Sequence, residues 1–172
     1  MTRVKIFGED EFFEFVLSRM KKLDDIVIIS QTPYMIYQER ENTLSSKYIE
    51  ELQKRFEDDR VKTTYYMSQK SFESRFYSIS ARFTDKMKIK VHIVGDEYFP
   101  TASIWIGKHE GKIEDTLIKL KTLVDNENLK PFWIGILDED FHDFNKKLDP
   151  LLTHSKSLSE ILINLKHNLL DL

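Results

Sequence analysis

Ile26 to Ser30 (IVIIS) runs through four consecutive apolar positions without alternating, and this stretch constrains the fold more than any other. A strand wetted on one side alternates apolar and polar residues, whereas a continuous apolar run belongs to a central strand covered on both faces. Such strands are features of α/β layer folds. The run then turns polar and aromatic at Ser30, Gln31, Thr32, Pro33 and Tyr34, where an α/β chain would ordinarily start a helix. In open α/β sheets, ligands settle outside the carboxyl ends of strands. Hydroxyl and amide groups at that point, with Pro33 stiffening the loop, therefore mark a candidate ligand loop.

The remaining periodicities agree with an α/β chain, since short β-rich runs alternate with longer stretches of helical spacing. Val4 to Phe7 reads as a first strand. Phe12, Phe13, Val16, Leu17, Met20 and Leu23 then recur at three and four residues, with acids at the start and lysines at the end, as a helix macrodipole prefers. Tyr48, Leu52 and Phe56 predict a second helix, Val61 to Met67 a strand, and Phe72, Phe76, Ile79 and Phe83 a third helix. Lys88 to Val94 alternates charged and apolar residues and reads as a strand with one wetter face. Thr101 to Gly107 reads as another, closed by a turn-like KHEGK. Residues 113–124 fit either a strand or a helix, with strand favoured. Pro131 to Leu137 predicts a late strand, and Asp138 caps a helix carrying Phe141, Phe144 and Leu148. Ser157 and Glu160 have capping-box spacing, ahead of an amphipathic helix with Leu158, Ile161, Leu162, Leu165 and Leu169 on its stripe. The expected architecture is α/β: a single-layer mixed sheet flanked by helices, in one domain over residues 1–172.

Composition excludes several function classes. The chain has no cysteine, which removes disulfides, thiolate metal sites and thiol nucleophiles together. With 26 basic residues against 29 acidic ones, the net charge of −3 does not suit a general nucleic-acid binder. The amino terminus carries acids among its apolar residues, unlike a signal peptide. No apolar run approaches the roughly 20 residues a membrane span needs. A cytoplasmic protein with no membrane partner is the expectation.

Chemical motifs are sparse. The five glycines are scattered singly, so neither a phosphate loop nor a nucleophile elbow is present. His92, His109, His142, His154 and His167 show no zinc-binding spacing, and no metal or cofactor is expected. The acids of Asp138 to Phe144 suit a solvated first helical turn better than a cation. His154 and Lys156 form an HxK like the start of the HxKxxxxD signature of phospholipase D enzymes, but Ile161 stands where the aspartate belongs and the stretch reads as the opening of a helix. Among the aromatics, Tyr34, Tyr37, Tyr65, Tyr66, Trp105 and Trp133 lie on or just beyond predicted strands, where core packing competes with ligand stacking.

Three stretches carry a family resemblance: IFGEDEFFEFVLSRMKKLDDIVIIS, KIKVHIVGDEYFPTASIWIGKHEG and PFWIGILDEDFHDFNKKLDPLL. In element order the chain resembles the phospholipase D-like effector domain of TrmB-like archaeal transcription regulators. On that resemblance, the catalytic histidine, lysine and aspartate of true phospholipase D enzymes would fall near Pro100 or Thr101, Ala102 or Ser103, and Gly107 or Lys108. None of these can do that chemistry. The resemblance implies a non-catalytic regulatory domain that senses a small-molecule effector such as a sugar and pairs as a homodimer. Such regulators carry a winged helix-turn-helix ahead of this domain, so a fused, separate or missing DNA-binding domain stays open. The expected ligand site combines Gln31 and Tyr34 with Ser68, His92 and Trp105. The alternatives are a phosphodiesterase or nuclease of that ancestry using His92, and a plain dimerisation domain.

Overall fold

The structure, a computed structural model, describes residues 3–30, 43–100, 102–120, 132–137 and 153–170. The chain enters through β1 (Arg3–Phe7), α1 (Glu9–Met20) and β2 (Asp25–Ser30). It continues through α2 (Leu44–Glu57), β3 (Lys62–Ser68), three short helices, α3 (Gln69–Ser74), α4 (Phe76–Arg82) and α5 (Asp85–Lys90), and β4 (Val91–Val94). Next come β5 (Ser103–His109), β6 (Lys112–Leu120), β7 (Phe132–Leu137), β8 (Ser155–Ser157) and α6 (Leu158–Leu170). All the strands join one mixed sheet in the order β1-β7-β6-β5-β2-β3-β4-β8. β2, β3 and β4 run parallel, and every other neighbouring pair is antiparallel. The α/β expectation and the mixed sheet hold.

β2 lies well inside the sheet, and both of its faces are buried: Ile26 and Ile29, which point to opposite sides, are each 0% exposed. Among the described residues, all six helices send their buried side chains to the face that carries Ile26, Ile28, Tyr65, Trp105 and Leu117. A smaller cluster with Ile29, Tyr66, Val94, Ile104 and Ile106 occupies the other face, and Phe99 packs against it. Burying a side chain such as Ile26 or Phe56 is worth about 1.5–3 kcal/mol, so the helix-covered face is the larger source of stability.

Two hydrogen-bonded clamps tie α1 to this frame. Arg55, on α2 and only 8% exposed, donates to the carbonyls of Met20 (2.9 Å) and Leu23 (2.8 Å), which end α1 and its following turn. Arg19 donates from Nε to Asp115 (2.7 Å) and from Nη2 to Glu114 (2.6 Å). The register of β5 and β6 shifts between Gly107 and Lys108, leaving Glu114 as the extra residue. A bulge of this kind re-aims side chains, and here both carboxylates reach one guanidinium.

Sequence periodicity misplaces three segments. The predicted helix from Phe72 to Phe83 is broken at Arg75, whose φ of −130° and ψ of 18° end α3 before α4 begins. The break still lets Phe72 and Phe76 pack edge to face at 5.6 Å, with Ile79 and Phe83 in the same cluster. Lys88 to Lys90 do not open a strand but end α5, whose start is capped by Thr84 accepting from the Met87 N–H at 3.3 Å. Ile89 is accordingly 60% exposed, and only Val91 to Val94 join the sheet. Ser155 to Ser157 form the short edge strand β8, so Lys156 lies on a strand and not in a helix opening, while the expected cap holds: Ser157 accepts from the Glu160 N–H at 3.1 Å at the start of α6. Residues 113–120 lie in strand β6, as favoured. The helix expected around Phe141, Phe144 and Leu148 lies outside the described residues.

β5 and β6 are joined by a two-residue turn in which Glu110 has φ 50° and Gly111 φ 79°. Two successive left-handed residues suit a type I′ hairpin turn, which prefers Asn-Gly to Glu-Gly. Glu110→Asn is therefore expected to stabilise the fold by about 0.5 kcal/mol, measured as a rise in denaturant midpoint. An unchanged or lower midpoint would contradict that account of the turn.

Candidate functional site

The carboxyl end of β2 borders a small cavity. Ser30 ends the strand at 4% exposure, and the β2–β5 register brings the start of β5, with Ser103, alongside it. The first turn of α1 contributes Glu9, Phe12 and Phe13, and α2 contributes Tyr48 and Leu52. The rings of Phe13 and Tyr48 lie 5.5 Å apart, with Phe12 edge-on to Tyr48 at 6.4 Å. These side chains enclose ≈20 Å³, room for one water or one hydroxyl group.

Trp105 forms part of the wall. It is 1% exposed, and its Nε1 is shut off from solvent with no hydrogen-bond partner. The far edge of its indole lies over Gly107, where an added Cβ would stand 3.1 Å from Cζ3 and 2.5 Å from Leu23 Cδ1. Glycine at 107 is thus what lets the ring lie flat along β5. An unpaired buried donor costs about 1–3 kcal/mol, so it is a costly group to keep in a cavity wall.

The other expected site residues are distributed differently. Trp105 aligns with Ile28, which aligns with Tyr65, on the helix-covered face. His92 aligns with Tyr66, one position further along β3, and so faces the opposite side together with Ser68. Ser68 caps α3, its hydroxyl accepting from the Ser71 N–H at 3.2 Å and donating to the Ser71 hydroxyl at 3.0 Å. The His92 ring lies 5.4 Å from that of Tyr66. The structure therefore separates Trp105 from Ser68 and His92, while Gln31 and Tyr34 lie outside the described residues. Glu9, Tyr48 and Ser103 join the cavity unannounced by the sequence, because the first two read as a helix-dipole acid and a core aromatic.

Burial holds the His92 imidazole below its ordinary pKa of 6.5. A histidine depressed in the folded state binds fewer protons than in the unfolded chain. It costs nothing above about pH 6.5, and stability is lost as pH falls from there through the folded pKa. His92→Gln is expected to flatten the stability–pH curve on that acid side, measured by chemical denaturation across pH. A curve of unchanged slope would show that His92 is not the group responsible.

The HxK pair also has a structural setting. His154 stacks on Tyr98 with ring centres 3.7 Å apart and planes 2° from parallel, and Lys156 lies on β8. Ile161, in the aspartate position, packs against the core on the helix-covered side. Among the described residues no cluster of three or more potential metal ligands occurs, and no helix is long and apolar enough to cross a membrane.

Neither a family model nor a curated protein sequence matches the chain. Among solved structures it is similar to TrmBL2, an archaeal chromatin protein whose structure shows a novel mode of DNA binding, with a TM-score of 0.55 at 14% sequence identity. The match covers 90% of this chain and 53% of TrmBL2, so the chain spans about half the length of that neighbour. At that identity the likeness is one of fold.

Proposed function

We propose that this chain is a TrmB-like, transcription-associated regulatory domain that binds a small polar effector at the carboxyl end of β2 and does no chemistry on it. The observation that carries this reading is the buried, unpartnered N–H of Trp105, a residue that lines the cavity together with Ser30 and Ser103. A hydroxyl of a sugar or similar polyol would supply the missing acceptor, in a cavity whose lining is otherwise mainly apolar. The cavity admits only one such group, so the rest of the ligand would lie towards the mouth. Reaching the indole takes a side-chain rotamer change, which is common on binding.

The fold shared with TrmBL2 supports a DNA-related context, in which a DNA-binding domain elsewhere in the protein or on a partner would read this domain's ligand state. The absence of a catalytic role rests on the resemblance, which places the catalytic histidine, lysine and aspartate near Pro100 or Thr101, Ala102 or Ser103, and Gly107 or Lys108, none of which can do that chemistry. The domain pairs as a homodimer through α6, on which Ile163 is 53% and Leu165 41% exposed. Sedimentation at tens of micromolar tests the pairing, and a monomer there would remove it from the reading.

Thermal shift against a panel of mono- and disaccharides tests the ligand. At least one sugar is expected to raise the melting temperature by mass action, and Trp105→Phe to abolish the rise. No shift with any sugar, or a shift indifferent to Trp105→Phe, would overturn the effector reading.

A further inference from the structure

The opposite face of the sheet holds a second crevice, at the amino ends of β2 and β3, and we propose that it binds a small zwitterion of amino-acid type, its ammonium group on Asp25 and its oxyanion on Lys62. Asp25 sits between Lys62 of β3 and Lys108 of β5 in the strand registers, so the three side chains share one face. Asp25 Oδ1 is buried without a hydrogen bond, and Oδ2 stands 4.0 Å from the Lys108 ammonium. That separation is well beyond the roughly 2.7–2.9 Å of a charge-assisted bond. The side chain keeps 20% exposure, none of it at Oδ1, so a donor in the crevice meets the carboxylate at Oδ2, where no charge-assisted bond is made.

The space fits the ligand class. The crevice measures ≈660 Å³ and is lined by Asp25, Lys62, Thr64 and His92 among others, within the range of about 300–1,000 Å³ common to small-molecule sites. Its other charges are already engaged. Asp59 pairs with Lys86 at 3.0 Å, Arg60 pairs with Asp58 at 2.9 Å, and Asp24 accepts from the Glu110 N–H at 2.8 Å. Lys62 pairs with no carboxylate among the described residues, so the unmet poles are one carboxylate oxygen and one ammonium group. A simple amine would answer only the first and a simple carboxylate only the second. A zwitterion answers both, with Thr64 and His92 supplying neutral polar contacts along the floor. Neutral imidazole suits that place, since burial disfavours its charged form.

This site is independent of the effector cavity, which opens on the other side of the sheet, and the experiment keeps the two apart. Thermal shift is measured with each of the twenty standard amino acids, and with methylamine and acetate as single-pole controls. At least one amino acid is expected to raise the melting temperature while neither control does. Asp25→Asn and Lys62→Ala should each weaken that ligand by at least about tenfold, and Trp105→Phe should leave it unchanged. Lys62 is exposed, so its variant carries the test if Asp25→Asn does not fold. No shift with any amino acid, a shift reproduced by methylamine or acetate, or a shift that survives Lys62→Ala would overturn the proposal.

Discussion

Arg55→Ala is expected to lower the free energy of unfolding by about 3–5 kcal/mol, enough to unfold a large share of a marginally stable domain. The guanidinium is buried and donates to four acceptors: the carbonyls of Met20, Leu23 and Lys62, and the hydroxyl of Thr63. Burial pulls its pKa below the ordinary value, while Asp25, Asp58 and Asp24 oppose that pull. Truncation would leave the carbonyls at the end of α1 without donors and open a void between α1, α2 and β3. Lysine cannot replace the fork, because its three donors radiate from one atom. Arg55→Lys should therefore still cost about 2 kcal/mol. Equilibrium denaturation measures both, and a loss under about 1 kcal/mol for the alanine variant would show that solvent reaches those carbonyls.

The second large effect is at Trp105. Trp105→Ala removes a side chain that is 1% exposed and packs between Leu117 and Ile28, and a loss of about 3–5 kcal/mol is expected. Trp105→Phe should cost only about 1–2 kcal/mol, because the lost volume is partly offset by deleting a buried N–H that has no partner. The contrast between the two variants separates packing from hydrogen bonding. If phenylalanine costs as much as alanine, the N–H is bonded in solution and the cavity argument loses its basis.

Elements with one dominant signal were legible in the sequence. The unbroken IVIIS run marks β2 as a strand buried on both sides, and the stripe from Phe12 to Met20 marks α1, because burial of one face or both imposes these patterns directly. Lys88 to Lys90 misled because charged–apolar alternation over three residues fits the last turn of a helix as well as a strand. The break at Arg75 left no mark, since the same four aromatic and aliphatic residues reach the core on either side of it. Pairing order was hidden as well. β1 pairs with β7, well over a hundred residues away, through backbone groups that every residue carries.

The candidate site was less legible, for a related reason. Of the expected ligand residues, Trp105 lines the cavity at the carboxyl end of β2, while Gln31 and Tyr34 lie outside the described residues. Ser68 and His92 were grouped with them, but which face a strand residue occupies turns on register, and a one-residue step reverses it. Trp105 falls in the row of Ile28 and Tyr65, whereas His92 falls in the row of Ile29 and Tyr66. Nothing local to HIV or SIW encodes that step.

The central claim, that the Trp105 indole is a ligand contact, is tested most directly by its N–H resonance. The chain has two tryptophans, so a ¹H–¹⁵N spectrum contains two indole signals, and Trp105→Phe identifies the one from Trp105. Titration with a sugar that raises the melting temperature is expected to move that signal downfield to saturation, as the N–H gains an acceptor. A sugar that stabilises the protein while leaving the Trp105 signal in place would contradict the account.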